Sequence, residues 1–87
     1  MTTDEEDTTT HSLVATLHHR PGALDRLVGL LRRHGCQLTD LALTPSEQPS
    51  CDEVRLRFYG GEASRVAQQA RRLVDVVQIH ENHHRDV

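Results

Sequence analysis

Residues 11–35 read HSLVATLHHRPGALDRLVGLLRRHG, and this stretch decides the fold because its hydrophobic period changes part-way along. Up to residue 18, apolar and polar residues alternate, which predicts a half-buried strand over residues 11–18. After Pro21-Gly22 the apolar residues recur at the spacing of an amphipathic helix, which we predict over residues 23–34. The apolar positions are Leu13, Ala15 and Leu17 in the strand and Leu24, Leu27, Val28 and Leu31 in the helix. The chain therefore opens with a strand, a tight turn and a helix.

The rest of the chain supplies three more strands and one more helix. Residues 37–44 predict a second, less regular strand, and a polar loop at 45–50 with two prolines precedes the clear alternation of residues 54–59. After Gly60-Gly61 comes a second amphipathic helix, and residues 75–80 predict a short fourth strand. The stripe of the second helix contains Ala63, Val66, Ala67, Ala70, Leu73 and Val74.

The resulting order, β-α-β-β-α-β, predicts an α+β, ferredoxin-like fold. Right-handed crossovers place both helices on one face of a four-stranded antiparallel sheet and leave the other face uncovered. We assign residues 11–81 to this domain, residues 1–10 to a disordered acidic leader and residues 82–87 to a polar tail. The residues expected on the uncovered face are Ser12, Val14, Thr16, Arg55, Arg57 and Tyr59.

Composition excludes several classes of function. The formal net charge of the 87-residue chain is −3, but four acidic residues lie together at positions 4–7, so the rest is close to neutral. There is thus no basic face for nucleic acid or for an anionic membrane surface. The chain also lacks an apolar run of the ~20 residues that span a bilayer and a basic-then-apolar signal peptide. We expect a cytoplasmic protein.

Neither the cysteines nor the histidines predict a metal site. Cys36 and Cys51 are expected at opposite ends of the hairpin formed by the second and third strands, which favours two free thiols over a disulfide. Structural zinc needs about four ligands on ordered backbone. We therefore interpret the histidines as solvated imidazoles, although a subset could converge on a metal. That subset is His18, His19, His80, His83 and His84.

Catalysis and RNA binding, both known for this fold class, are not predicted. Arg20 lies in the loop where acylphosphatases cradle a phosphate, but Pro21 removes a backbone donor there and no asparagine is available to orient water, since Asn82 lies in the tail. An RNA-reading sheet needs several exposed aromatic residues, and Tyr59 alone qualifies. What remains is the start of the first helix, whose free N–H groups can bind a carboxylate. An ordinary strand-to-helix turn would have the same N–H groups.

Three stretches resemble the ACT domain of the small, regulatory subunits of acetohydroxyacid (acetolactate) synthase. They are PGALDRLVGLL at 21–31, RHGCQL at 33–38 and LVDVV at 73–77. The first is similar to the family pattern Gly-Ala-Leu-x-Arg-Val-x-Gly-Leu-Phe, and a Leu-Val-Asp-Val run before the last strand is characteristic of this subunit. The resemblance covers residues 11–81. Because the chain ends soon after the fourth strand, it resembles the short form of the subunit.

The resemblance implies a non-catalytic regulatory subunit that forms a homodimer through sheet edges and binds and activates a catalytic large subunit. Thiamine diphosphate, magnesium and FAD would lie on that partner, and no cofactor or metal on this chain. A branched-chain amino acid such as valine would bind at the dimer interface as a feedback effector. The implied ligand-binding residues are His19, Arg20, Pro21, Gly22 and Ala23 of the loop and helix start, and Gln37 of the second strand.

Two of these positions depart from the family pattern. Feedback-sensitive members commonly carry asparagine where this chain has His19 and Gln37. A short amide can accept from an ammonium and donate to a carboxylate at once, which histidine and glutamine imitate in part. Two alternatives therefore stay open: a stand-alone amino-acid-sensing ACT protein with a different target, and an assembly partner that binds no ligand.

Overall fold

The computed structural model describes the backbone of residues 9–85 and the side chains of residues 10–81. The elements follow the predicted order. They are β1 Thr9–His18, α1 Ala23–Arg33, β2 Gln37–Pro45, β3 Cys51–Tyr59, α2 Ala63–Ala70 and β4 Val76–Arg85.

The four strands form one antiparallel sheet in the order β2-β3-β1-β4. β1 and β3 occupy the centre, and β2 and β4 form the two edges. The β-α-β-β-α-β order and this sheet confirm the predicted ferredoxin-like class. Cys36 and Cys51 are free thiols at opposite ends of the β2–β3 hairpin.

The core lies between the helices and one face of the sheet. Phe58 is the largest fully buried side chain among the described residues, and the alternating apolar residues of β1 and β3 meet the apolar stripes of both helices. The opposite face is left uncovered, as predicted. Thr16 differs from the prediction for that face, because it is 8% exposed, between its register partners Glu53 and Gln78.

The second helix is shorter than predicted and ends at Ala70. Residues 71–75 form turns, so the predicted stripe loses its last two members. Leu73 packs partly against the core, whereas Val74 is 76% exposed. Hydrophobic spacing alone could not locate this end, since the apolar residues continue at helical intervals past it.

Strand boundaries also extend beyond those predicted. β1 begins at Thr9, within the stretch assigned to the leader, and β4 continues to Arg85, within the stretch assigned to the tail. The two strands pair with each other from Thr9 opposite Arg85 inward. The main-chain ladder carries this extension, and polar side chains give no period-2 signal for it. Residues 1–8 of the predicted leader lie outside the described residues.

At Gly61, the corner between β3 and α2 (residues 60–62) contacts the corner between α1 and β2 (residues 34–36). The φ of Gly61 is +57°, and a Cβ added there would lie 2.2 Å from the carbonyl oxygen of His34. The next residue, Glu62, donates its main-chain N–H to that same oxygen at 2.8 Å. Because the backbones touch, only glycine fits at this position.

Candidate functional site

The loop between β1 and α1 is shaped by Gly22. This residue has φ +82° in the left-handed region, and a Cβ on it would lie 2.9 Å from Nη1 of Arg26. Its carbonyl oxygen accepts a hydrogen bond from the main-chain N–H of Arg26 at 2.9 Å. The main-chain N–H of Ala23 donates to the carbonyl oxygen of Arg20. The Pro-Gly pair in the sequence is thus explained by a turn that positive φ makes possible.

The first turn of α1 has N–H groups available for a ligand. Gly22 is the N-cap and offers no side-chain acceptor. Within the described part of the chain, the main-chain N–H groups of Leu24 and Asp25 donate to no carbonyl of the loop, unlike those of Ala23 and Arg26. Orphan donors and the positive end of the helix dipole favour an anionic group at this place.

A cavity of about 200 Å³ lies against this helix start. Its walls come from the end of β1, the loop, the first turn of α1, β2 and the start of β3. They combine apolar, basic and acidic side chains. The lining residues are Leu17, His18, His19, Arg20, Gly22, Ala23, Leu24, Asp25, Leu43 and Asp52. The mixture suits a small zwitterion, because an anion and a cation can each find a complementary group.

Four of the six ligand-binding residues implied by the resemblance line this cavity: His19, Arg20, Gly22 and Ala23. Pro21 belongs to the same loop. Gln37, by contrast, lies at the far end of β2, opposite Tyr59. It is six positions from Leu43, or roughly 20 Å along a strand, so within one chain it does not reach the cavity.

His19 is already engaged by a carboxylate that the sequence did not single out. Its Nδ1 lies 2.7 Å from Oδ2 of Asp52, and its main-chain N–H is donated to Ser50. The imidazole is 77% exposed, whereas the Asp52 side chain is 22% exposed. Nothing in the local pattern identifies Asp52, since it becomes part of the site through the pairing of β3 with β1.

A buried carboxylate, Asp75, contacts two arginines of the loop between β1 and α1 and of the helix start, outside the cavity lining. Nε of Arg26 donates to its Oδ2 at 2.6 Å, and Nη1 of Arg20 lies 3.5 Å from its Oδ1. Arg26 also donates from Nη2 to the carbonyl of Pro21 at 3.2 Å. The hydrogen bond from Arg26, aided by the charges of both arginines, lowers the pKa of Asp75 against the opposing effect of burial. The Leu-Val-Asp-Val run was a signal for this residue, but not for its contacts.

The described residues show no arrangement typical of a metal site. Among the side chains of residues 10–81, no three His, Cys, Asp or Glu residues are grouped closely enough to hold an ion. Nδ1 of His18 lies 4.0 Å from the Cys51 thiol, whereas His80 pairs with Val14, four positions earlier on β1. The side chains of His83 and His84 lie outside the described residues. No helix in the described part of the chain has the length and hydropathy needed to cross a bilayer.

Comparison with known sequences points to one class of protein. No family model matches the chain. It is 27% identical over 77 residues to a probable acetolactate synthase small subunit of Methanothermobacter thermautotrophicus, covering 86% of this chain and 46% of that protein. It is 28% identical over 71 residues to the acetolactate synthase isozyme 3 small subunit of Escherichia coli, covering 79% and 44%. The chain thus spans less than half the length of these curated relatives.

Solved structures match the fold closely. The acetolactate synthase small subunit of Thermotoga maritima superposes with a TM-score of 0.74 at 23% identity, covering 83% of this chain and 46% of that one. The ACT domain from the GTP pyrophosphokinase of Chlorobium tepidum superposes with a TM-score of 0.69 at 9% identity, covering 87% of this chain and 99% of that domain. The fold is that of an ACT domain. The resemblance deduced from the sequence is confirmed by these relatives, and the cavity lies at the first loop of the fold, between β1 and α1.

Proposed function

We propose that this ACT domain is the regulatory subunit of an acetolactate synthase, and that it binds a branched-chain amino acid between two copies of itself. The observation that carries the proposal is the cavity at the start of α1, because it offers complementary groups for both charges of an amino acid. The similarity to acetolactate synthase small subunits over more than three quarters of the chain supports the choice of partner.

The chemistry of the cavity supports an amino acid ligand. The N–H groups of Leu24 and Asp25 would receive the carboxylate. The carboxylates of Asp25 and Asp52, both in the lining, would receive the ammonium. Leu17 and Leu43 supply an apolar wall for an aliphatic side chain. The volume of about 200 Å³ suits a small metabolite, since drug-sized ligands occupy roughly 300–1,000 Å³.

The open edge of the sheet supports pairing of two copies through β2. Every residue of β2 is exposed, although the strand carries three leucines on the face that the helices cover elsewhere. Leu38, Leu41 and Leu43 are 38%, 36% and 49% exposed. An unpaired edge strand with apolar side chains is a template for another strand. A second β2 would satisfy its main-chain groups and shield these leucines.

This pairing would also give Gln37 a place in the site. If two antiparallel β2 strands are related by a two-fold axis near Asp40, residues equally distant from Asp40 lie opposite each other. Gln37 of the partner subunit would then lie opposite Leu43, which lines the cavity. Each site would be completed by the other chain, so ligand binding and dimerisation would be thermodynamically linked.

The proposed partner is the catalytic subunit, which this chain would bind and activate. Thiamine diphosphate, magnesium and FAD would be held by that partner. An amino acid acts as a feedback effector only if it binds the active and inactive assemblies with different affinity, and such coupling is typically 1–3 kcal/mol. His19 affects the strength of this feedback, because its contact with Asp52 competes with a ligand ammonium for the same carboxylate.

The decisive experiment measures acetolactate formation by the catalytic subunit from the same genome. The assay is run with and without this protein, and with and without valine, leucine and isoleucine. We expect stimulation by the protein and partial loss of that stimulation with one of the amino acids. Stimulation that none of the three amino acids changes would support the role as an activator and would contradict the role as an amino acid sensor.

Absence of stimulation at saturating protein would refute the proposed partner. Thermal shifts with the three amino acids then separate the two alternatives. A rise in melting temperature would indicate a stand-alone sensor with another target, whereas no shift with any of them would contradict amino acid binding.

A variant with His19→Asn should bind the effector more tightly than the parent, because Asp52 is released.

A further inference from the structure

Asp75 is the one buried carboxylate among the described side chains, with 1% of its surface exposed. An ionised carboxylate loses its hydration on burial and is tolerated only when hydrogen-bonded or paired. Its partners here, Arg20 and Arg26, both belong to the segment that forms the candidate site. Asp75 itself comes from the turn before β4, more than forty residues later in the chain.

Asp75 holds both ends of the loop between β1 and α1. Its main-chain carbonyl accepts the N–H of His18 at 2.8 Å, which fixes the end of β1. Its side chain accepts from Arg26 on α1, and Arg26 in turn donates to the carbonyl of Pro21 in the loop. The loop is thus anchored before its first residue, at its middle and beyond its last residue by contacts that converge on Asp75.

Arg26 can make this connection because a guanidinium is planar and has several donors. Nε is used for Asp75 and Nη2 for Pro21 at the same time. A lysine keeps the positive charge but has one nitrogen, so it cannot hold both acceptors in this geometry. Arg20 lines the cavity, and its longer contact of 3.5 Å with Asp75 restrains it at the cavity wall.

We infer that Asp75 is a positioning residue for the ligand loop: through Arg26 it fixes the Pro21-Gly22 turn and thereby the N–H groups that receive the effector carboxylate. The inference rests on the proposed amino acid site, and Asp75 itself does not line the cavity. A helix start binds an anion well only if its N–H groups are held in place before binding, since ordering them on binding reduces affinity.

The test compares Asp75→Asn and Arg26→Lys with the parent and with a control, Glu62→Gln. Glu62 forms the corresponding contact at the other end of α1, where its Oε1 lies 2.7 Å from Nδ1 of His34. Two quantities are measured: the dissociation constant for valine, leucine and isoleucine by calorimetry, and amide hydrogen exchange of the ligand-free protein. Circular dichroism identifies a temperature at which each variant is folded.

Both variants should bind the effector about tenfold more weakly, the scale of one lost charged hydrogen bond. Without ligand, the N–H groups of Ala23 and Arg26 should exchange faster, because their acceptors Arg20 and Gly22 lie in the released loop. Amides of β3 should be unchanged. The Glu62→Gln control should match the parent in both measurements.

Arg26→Lys is informative even if Asp75→Asn fails to fold, since Arg26 is 48% exposed and keeps its charge. Parental affinity and parental exchange in the Lys variant would overturn the inference. A parent that binds none of the three amino acids would refute the proposed ligand, and the exchange measurement would still decide whether Asp75 positions the loop.

Discussion

Nε of Arg26 lies 2.6 Å from Oδ2 of Asp75, and this contact joins the start of α1 to the turn before β4 across 49 residues of sequence. It links the first β-α unit of the fold to the last strand. The hydrogen bond from Arg26 lowers the pKa of Asp75, so the carboxylate is ionised at neutral pH and only acid disrupts the pair by protonating it.

Asp75 should make the stability of the protein dependent on acid pH. Arg26 lowers the pKa of Asp75 in the folded state, so the unfolded chain binds a proton first as the pH falls. The stabilisation is fully present above the unfolded pKa of about 3.9 and is lost as the pH falls through the lower folded value. Urea unfolding of the parent and of Asp75→Asn should show a stability difference that shrinks in this range.

Glu62 adds an acid-dependent contribution of the same sign, since its hydrogen bond with His34 lowers the pKa of that carboxyl group. The comparison with Asp75→Asn separates the two effects, because both proteins retain Glu62. A difference between parent and variant that stays constant from neutral to strongly acid pH would contradict the role given to the Arg26 contact.

The contact between the two corners at Gly61 should make this position intolerant of any side chain. Gly61→Ala adds a Cβ that would meet the main chain at 2.2 Å and should cost about 1–3 kcal/mol in overpacking in addition to backbone strain. Gly60→Ala is the matched control. Gly60 also has positive φ, +80°, but nothing lies within 4 Å of an added Cβ. Urea unfolding should rank Gly61→Ala well below Gly60→Ala, and equal stabilities would show that the corners can separate.

Leu27 and Val74 both fit the apolar stripe of a predicted helix, but they should contribute differently to the free energy of unfolding because only Leu27 is buried. Leu27 is 0% exposed in the core and Val74 is 76% exposed in the turn. Leu27→Ala should reduce the free energy of unfolding by about 2–5 kcal/mol, the range for a buried leucine. Val74→Ala should change it by about 0.5 kcal/mol or less. A large loss for Val74→Ala in denaturant unfolding would mean that α2 continues to residue 74, as its apolar stripe predicted.

The two sheet edges should respond differently to a new charge. Leu41 on β2 and Val77 on β4 are 36% and 39% exposed. Leu41→Lys places a desolvated ammonium in the proposed β2–β2 interface and should shift the protein from dimer to a 9.8 kDa monomer in analytical ultracentrifugation. Val77→Lys should leave the dimer intact. If Val77→Lys dissociated the dimer and Leu41→Lys did not, the interface would lie at β4 and not at β2.

The fold could be predicted because its strands and helices differ in hydrophobic period, as in β3, where buried and exposed residues alternate from Val54 to Tyr59. The predicted element boundaries are wrong where the hydrophobic period does not follow the secondary structure. The end of α2 at Ala70 leaves no hydrophobic signal, and the outer half of β4 is held by its ladder with β1 and not by apolar side chains. Main-chain pairing of polar residues has no signature in a single sequence.

Local sequence accounts for only part of the candidate site. Pro21-Gly22 and the helix start could be found because a turn before a helix has residue preferences of its own. Asp52 and Asp75 join the site through contacts with residues 33 and 55 positions away, His19 and Arg20, which no local pattern encodes. Gln37 belongs to the cavity only in the proposed dimer, so neither the sequence nor one folded chain places it there.

The open edge of β2 has a further consequence for a cell that makes more than one protein with this fold. Main-chain hydrogen bonds between edge strands are the same for every sequence, so discrimination between partners depends on side chains alone. On the helix-side face of β2 those side chains include three leucines, which are poor discriminators. If the proposed dimer forms where two such chains are expressed together, mixed pairs would contain two unlike cavities, and the response to the proposed effector would depend on the ratio in which the chains are made.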